Sequence, residues 1–285
     1  LATYDRVLIT SIPRVSDIHY PKFREFYLNV LQNTVSTFVI HGPLDATRTE
    51  NLFDIFTTVK LKKPIITMKR GLVAHYKLDA VEKFIPLSFA NTQIQSANFE
   101  AKRKNKIGCI SRIVKQKNIH TLVKLFAGTK FDAVIRQHTL ANGNETFFYL
   151  RDIKTDIKAK NIENIRFQIH DKDTSNTKIL DMLLDDAIAV IDLTAWDDKE
   201  GLQYTQVEAI NHGCLMIIPD SLNSAKDIYE LAIKISLTST TEQILSQIEA
   251  KLTKENYDMT IEKYKQYIAT HTFEQAIKEI DGVLQ

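Results

Sequence analysis

The chain has 285 residues, 44% of them hydrophobic, enough for one large or two ordinary buried cores. A formal charge of +2 excludes a global electrostatic footprint for nucleic acid but leaves room for a local patch. Cys109 and Cys214 lie in apolar strand-like runs with no disulfide framework or metal-ligand spacing, and read as buried thiols of a reducing, cytoplasmic compartment. No apolar run approaches the roughly 20 residues of a membrane span, and no signal peptide precedes the first strand.

Short β-branched runs alternate with longer helical patterns, which predicts parallel α/β sheets. The first strands fall at Arg6–Thr10, Thr37–Ile40, Pro64–Met68 and Phe84–Leu87. The polar stretch Asn91–Asn98 and the basic Lys102-Arg103-Lys104 then read as a linker. A second series follows at Lys106–Ser111, Asp132–Gln137, Ile165–Ile169, Ala187–Leu193, Leu215–Pro219 and Ala232–Ile235. Residues from Lys254 to the C-terminus are helix-patterned and charged. We expect an N-terminal lobe over 1–95 and a doubly wound lobe over 104–267, with a helix at about 268–285 packing back on the first. Four strands in about ninety residues fall below the roughly 100–150 residues common for domains, so the first lobe is expected to be short or N-terminally incomplete.

The most informative stretch runs from Glu200-Gly201-Leu202-Gln203-Tyr204-Thr205 through Glu208 to Gly213 and an apolar strand. Two glutamates stand eight positions apart around a loop that opens a helix. A helix N-terminus offers unpaired N–H groups and a partial positive charge to a pyrophosphate. Ionised carboxylates on either side suit hydroxyl-rich groups, since each accepts bonds from vicinal hydroxyls. Phosphates between hydroxyls describe a nucleotide-sugar. Earlier in the chain, Gly108-Cys109-Ile110-Ser111 leads through Arg112 and Lys117 into an amphipathic helix. Ligands bind at strand C-terminal ends in open α/β sheets, where these two cations would neutralise a diphosphate.

Together these segments resemble the GT-B glycosyltransferases, specifically the retaining family with the Glu-x7-Glu motif. The resemblance covers about Lys106 to Ile235 well and the first lobe weakly. Within that family the DNA α-glucosyltransferases of T-even-type phages are similar at Tyr204-Thr205-Gln206-Val207-Glu208 and at Tyr4–Pro13. The resemblance implies that Arg112 and Lys117 hold the diphosphate, Glu208 the ribose, and Glu200 with the backbone of Gly201, Leu202, Gln203, Tyr204 and Thr205 the sugar. Ile169 would lie near the nucleobase. Ser111 stands in place of the family glycine before the arginine, and Gln203-Tyr204 in place of its glycine-containing turn. His41, delivered by Phe38-Val39-Ile40, is a candidate for a sugar hydroxyl and counts with Arg112, Lys117 and Glu200 in the catalytic set. His120, His170, His212 and Trp196 read as structural.

The implied donor is a UDP-sugar, with no cofactor and no metal; Asp171-Lys172-Asp173 has a metal-binding spacing but lies in the wrong kind of loop. Candidate acceptor residues are Arg48, Lys62, Lys63, Lys69 and Arg70, on either side of the Pro64–Met68 strand. The narrower resemblance implies double-stranded, hydroxymethylated DNA as acceptor, and the broader one a cell-surface glycan or lipid. A non-catalytic subunit of the same fold is the reading from another class, motivated by the short first lobe.

Overall fold

The structure, a computed structural model, describes residues 5–10, 20–41, 46–111, 113–137, 144–169, 176–194, 202–222, 228 and 230–285. Two compact units emerge. One comprises Leu1–Ser88, Lys199–Leu202 and His271–Gln285, the other Phe89–Asp198 and Gln203–Thr270. Each of the ten strands expected from the sequence is present, and every pairing between them is parallel.

The first unit runs β1 (Arg6–Ile9), α1 (Tyr20–Asn33), β2 (Val35–Ile40), α2 (Ala46–Thr58), β3 (Ile65–Thr67), α3 (Leu72–His75) and β4 (Glu82–Phe84). Its sheet has the order β1-β2-β3-β4. β2 is apolar at consecutive positions because both faces are covered. Phe38 and Ile40 pack with Tyr27, Leu31, Leu52 and Ile55 of α1 and α2. On the other face, Val39, Ile66 and Ile85 meet Ala276, Ile280 and Val283 of the helix Phe273–Leu284. That helix starts at Thr272, whose hydroxyl accepts from the Gln275 amide.

β4 lies two residues earlier than the sequence predicts. Pro86 has no N–H, so the ladder stops after the Ile85 amide bonds the Thr67 carbonyl. Glu82 carries no apolar signal, yet it is fixed there because its carboxylate accepts from Gly71 N (2.9 Å), Leu72 N (3.1 Å) and the Thr67 hydroxyl (2.6 Å).

The second unit contains β5 (Arg103–Cys109), α4 (Ile119–Phe126), β6 (Asp132–Gln137), α5 (Asn144–Ala159), β7 (Ile165–Ile169) and α6 (Asn176–Leu184). β8 (Ala187–Ile191), α7 (Tyr204–Asn211), β9 (Leu215–Pro219) and β10 (Ile233–Ile235) follow, then the helices Thr241–Lys251 and Lys254–Thr270. The sheet order is β10-β9-β8-β5-β6-β7. Strand order therefore reverses between β5 and β8, leaving a crevice at their C-terminal ends.

The presumed linker belongs to this unit. Lys102 is only 4% exposed, and its ammonium donates to the carbonyls of Leu184 (3.2 Å), Asp185 (2.9 Å) and His212 (2.7 Å). It satisfies acceptors where α6 and α7 end, so Lys102 is a structural cation, whereas the side chains of Arg103 and Lys104 stay exposed. Gln95 donates its amide to the Asn211 carbonyl at 2.6 Å. Gly213 sits beneath this segment at φ +63°, where an added Cβ would lie 3.1 Å from Gln95 O and 3.2 Å from Ala97 Cα. Gly213→Ala is expected to destabilise the protein by more than about 2 kcal/mol, combining left-handed strain with a backbone clash. Urea unfolding checks it, with Gly128→Ala, at φ +69° but in open space, as the control for strain alone.

Candidate functional site

β5 delivers Ile110 and Ser111 to the crevice, and the chain continues through a 3₁₀ turn, Lys115–Lys117, into α4. Asn118 crosses the switch point: its side-chain amide donates to the Leu193 carbonyl, beyond β8, at 2.9 Å. Lys117 is 8% exposed and crosses at the same place. Its ammonium donates to the Thr194 hydroxyl at 2.7 Å and to Gln203 Oε1 at 2.8 Å, and lies 4.0 Å from Asp192 Oδ1. Asp192 Oδ1 accepts from the Thr194 amide at 3.1 Å and from its hydroxyl. One buried cation thus joins the connection after β5, the connection after β8 and the start of α7.

α7 begins at Tyr204 because Gln203 is extended and exchanges bonds with Gln206: the Gln203 amide donates to Gln206 Oε1 at 2.9 Å, and the Gln206 amide to Gln203 O at 3.0 Å. The first turn carries no acidic side chain, so the positive end of the helix dipole is not neutralised from within that turn. Glu208 lies one turn on, half-buried. Burial raises its carboxyl above the usual glutamate range, while the nearby charges of Arg136 and His212 act against the rise. Arg136, 6% exposed in β6, is lowered by burial, with Glu208 acting in the opposite sense. The sequence reading did not select Arg136; the available signal was an arginine directly after the apolar Ala133–Ile135 run of the same strand. His212 anchors the far end of α7, with Nδ1 2.8 Å from the Glu208 carbonyl and Nε2 3.0 Å from Asp181 Oδ1.

The Glu208 shift has a sign that can be measured. Its folded value is raised, so it contributes stability below its ordinary value of 4.5 that is lost as pH rises through the raised value. If the carboxylate accepts ribose hydroxyl bonds, UDP affinity should fall as pH drops through that same raised value. Glu208→Gln, neutral throughout, is expected to bind UDP more weakly at neutral pH, by about 1.5–3 kcal/mol, and without this acid dependence. Calorimetric titration with UDP across the acid range checks both.

Among the sequence-predicted donor residues, the structure brings Lys117, Gln203, Tyr204, Thr205 and Glu208 together around the start of α7. Tyr204 is 60% exposed, whereas Leu202 is buried and offers only its backbone. Ile169 ends β7 at the same C-terminal edge of the sheet, two strands from β5. Arg112, Glu200 and Gly201 lie outside the described residues, as do His170, Asp171, Asp173 and Trp196. In the first unit, His41 follows β2 and places Nδ1 3.1 Å from Met68 Sδ. Lys69 and Arg70 follow β3 at that edge, with the Arg70 guanidinium 4.5 Å above the Phe84 ring. Lys62 and Lys63 precede β3 and so lie at the opposite edge of the sheet. These four cations, close in sequence, do not form one patch, because the strand between them carries the chain across the sheet at about 3.3 Å per residue. Arg48 is in the first turn of α2, and its side chain lies outside the described set.

Two parallel-sheet Rossmann-like units of this kind constitute the GT-B glycosyltransferase fold. The chain is similar to the phage T4 alpha-glucosyltransferase in complex with UDP and a 13-mer DNA containing an HMU base, with a TM-score of 0.70 and 13% identity over 98% of this chain and 80% of that one. The complex of alpha-glucosyltransferase with UDP-glucose and DNA containing an abasic site matches with a TM-score of 0.70 and 15% identity over the same shares. Anabaena Alr3699/HepE in complex with UDP-glucose matches with a TM-score of 0.67 and 13% identity over 98% of this chain and 79% of that one. No protein-family profile matches the chain, and no curated protein matches it significantly in sequence.

Proposed function

We propose that this protein is a retaining glycosyltransferase that moves a hexose, glucose in the first instance, from a UDP-sugar to a hydroxyl of hydroxymethylated double-stranded DNA. The observation that carries the donor half is the buried Lys117 ammonium held at the β5/β8 crevice beside the start of α7. Donor loss leaves charge on a departing diphosphate. Lys117, Arg112 and the positive end of α7 would stabilise that charge where it develops, which is electrostatic catalysis that asks for no metal or cofactor. Glu208 would accept from the ribose, Glu200 and the backbone from Gly201 to Thr205 would hold the sugar, and the chain near Ile169 would face the base. Similar solved structures contain UDP, UDP-glucose and, for the alpha-glucosyltransferase, DNA, which supports the pairing of this donor with this acceptor. No helix among the described residues is long and apolar enough to cross a membrane. This reading places the protein in the cytoplasm, that of the host if it is phage-encoded.

The test is release of UDP from UDP-glucose in the presence of hydroxymethylated duplex, unmodified duplex or polysaccharide. Stimulation by the modified duplex alone supports the reading. Transfer only to polysaccharide replaces the acceptor with a surface glycan, and UDP binding without turnover on any acceptor leaves a non-catalytic binding unit. A duplex base must leave the stack for its substituent to reach the sugar. If the first unit holds that duplex, neutralising Lys69 and Arg70 is expected to reduce the salt slope of DNA binding by up to about one per lost phosphate contact, with UDP affinity intact. Neutralising Lys62 and Lys63, at the other sheet edge, should change it less.

A further inference from the structure

The bonds around Lys117 have a fixed direction. A lysine ammonium only donates and an ionised carboxylate only accepts, so the single Thr194 hydroxyl proton must point to Asp192 while the Thr194 oxygen receives Lys117. The same rule fixes the Gln203 carboxamide, whose oxygen faces Lys117 and whose N–H2 is turned away from it. Asp192 is 3% exposed, and its Oδ2 is buried without a hydrogen-bond partner among the described residues. A carboxylate kept in that state is costly unless its charge serves a neighbour. Cys109 of β5 also faces this pair, but burial pushes its thiol up to about 12, so it stays neutral and supplies no charge.

We propose that Asp192 and Thr194 are positioning residues for the donor site: Asp192, through the Thr194 hydroxyl, keeps the Lys117 ammonium charged and aimed across the crevice toward the donor diphosphate. This rests on the glycosyltransferase reading above. The two residues act on donor chemistry without touching the donor. Neither belongs to the Arg112–Lys117 pair or the Glu-x7-Glu motif, and their link to Lys117 spans 75 positions or more of sequence.

The experiment is calorimetric UDP binding, with UDP-glucose turnover, on wild type, Thr194→Val, Thr194→Ser and Asp192→Asn. Circular dichroism melts ensure that each variant is measured folded. Thr194→Val is expected to bind UDP about tenfold more weakly, as for loss of one charge-assisted bond, and Thr194→Ser to restore binding to within about twofold. In Asp192→Asn the buried ammonium loses the Asp192 charge, so UDP affinity should decline at a lower pH than in wild type. A merely structural role would lower melting temperatures without this pH dependence or the serine rescue. Folded Thr194→Val that binds UDP like wild type, or an Asp192→Asn profile parallel to wild type, would overturn the proposal alone. Wild type that binds neither UDP nor UDP-glucose would overturn it together with the reading on which it rests.

Discussion

Lys117→Ala is expected to lower turnover of a UDP-sugar by about 10²–10³-fold, the loss typical of removing one donor to a developing anion. It should also destabilise the fold, because Asp192 is left buried without the Lys117 cation, its ion-pair partner among the described residues. Breaking one side of a buried pair costs on the order of 3–5 kcal/mol, much of it the penalty of the charge left behind. The two effects separate in the double variant Lys117→Ala/Asp192→Asn. Removing both charges relieves the uncompensated carboxylate and should recover most of the lost stability, whereas turnover should stay low because nothing replaces the ammonium. Denaturant unfolding and single-turnover kinetics on wild type, both single variants and the double variant check this. Recovery of turnover together with stability would show that Lys117 serves the fold and not the diphosphate.

Arg112→Ala should produce a loss of similar size in kcat/KM, about 2–4 kcal/mol, with a different signature. Arg112 follows the end of β5 in sequence, and ligands of such sheets bind beyond the C-terminal ends of the strands. A guanidinium grips two phosphate oxygens at once, so Lys should replace it poorly. Both UDP and UDP-glucose should bind more weakly, since the diphosphate is common to them. Glu200→Gln is the contrast: a residue that holds only the sugar should spare UDP and weaken the intact donor. Turnover of Arg112→Ala within a few-fold of wild type, or an equal effect of Glu200→Gln on the two ligands, would remove these assignments.

Strand positions and the two-unit α/β architecture were legible from periodicity, because a parallel strand buried on both faces is an unbroken apolar run flanked by polar turns. Phe38-Val39-Ile40, Ala187–Ile191 and Leu215–Ile218 are such runs, and each is a strand. The residues of the proposed donor site were legible for a similar reason: a lysine after one strand and a glutamate in the first turns of a helix after another are local patterns. Where those patterns meet was not. The order β10-β9-β8-β5-β6-β7 places the connections after β5 and β8 side by side, and only that adjacency lets Lys117 reach Thr194 and Gln203. Buried charge was the other quantity hidden from the sequence. Lys102, Arg136 and Asp192 look like surface residues one at a time, because the cost of burying a charge depends on partners far away in the chain. The helix ends at Leu184 and His212 turn Lys102 from a linker cation into a structural one. Conversely, Lys62, Lys63, Lys69 and Arg70, close in sequence, are divided between two sheet edges by three residues of β3. Local pattern sets which elements form and what side chains they carry; three-dimensional adjacency decides which charges share a site, since Coulomb attraction and desolvation act through space and not along the chain.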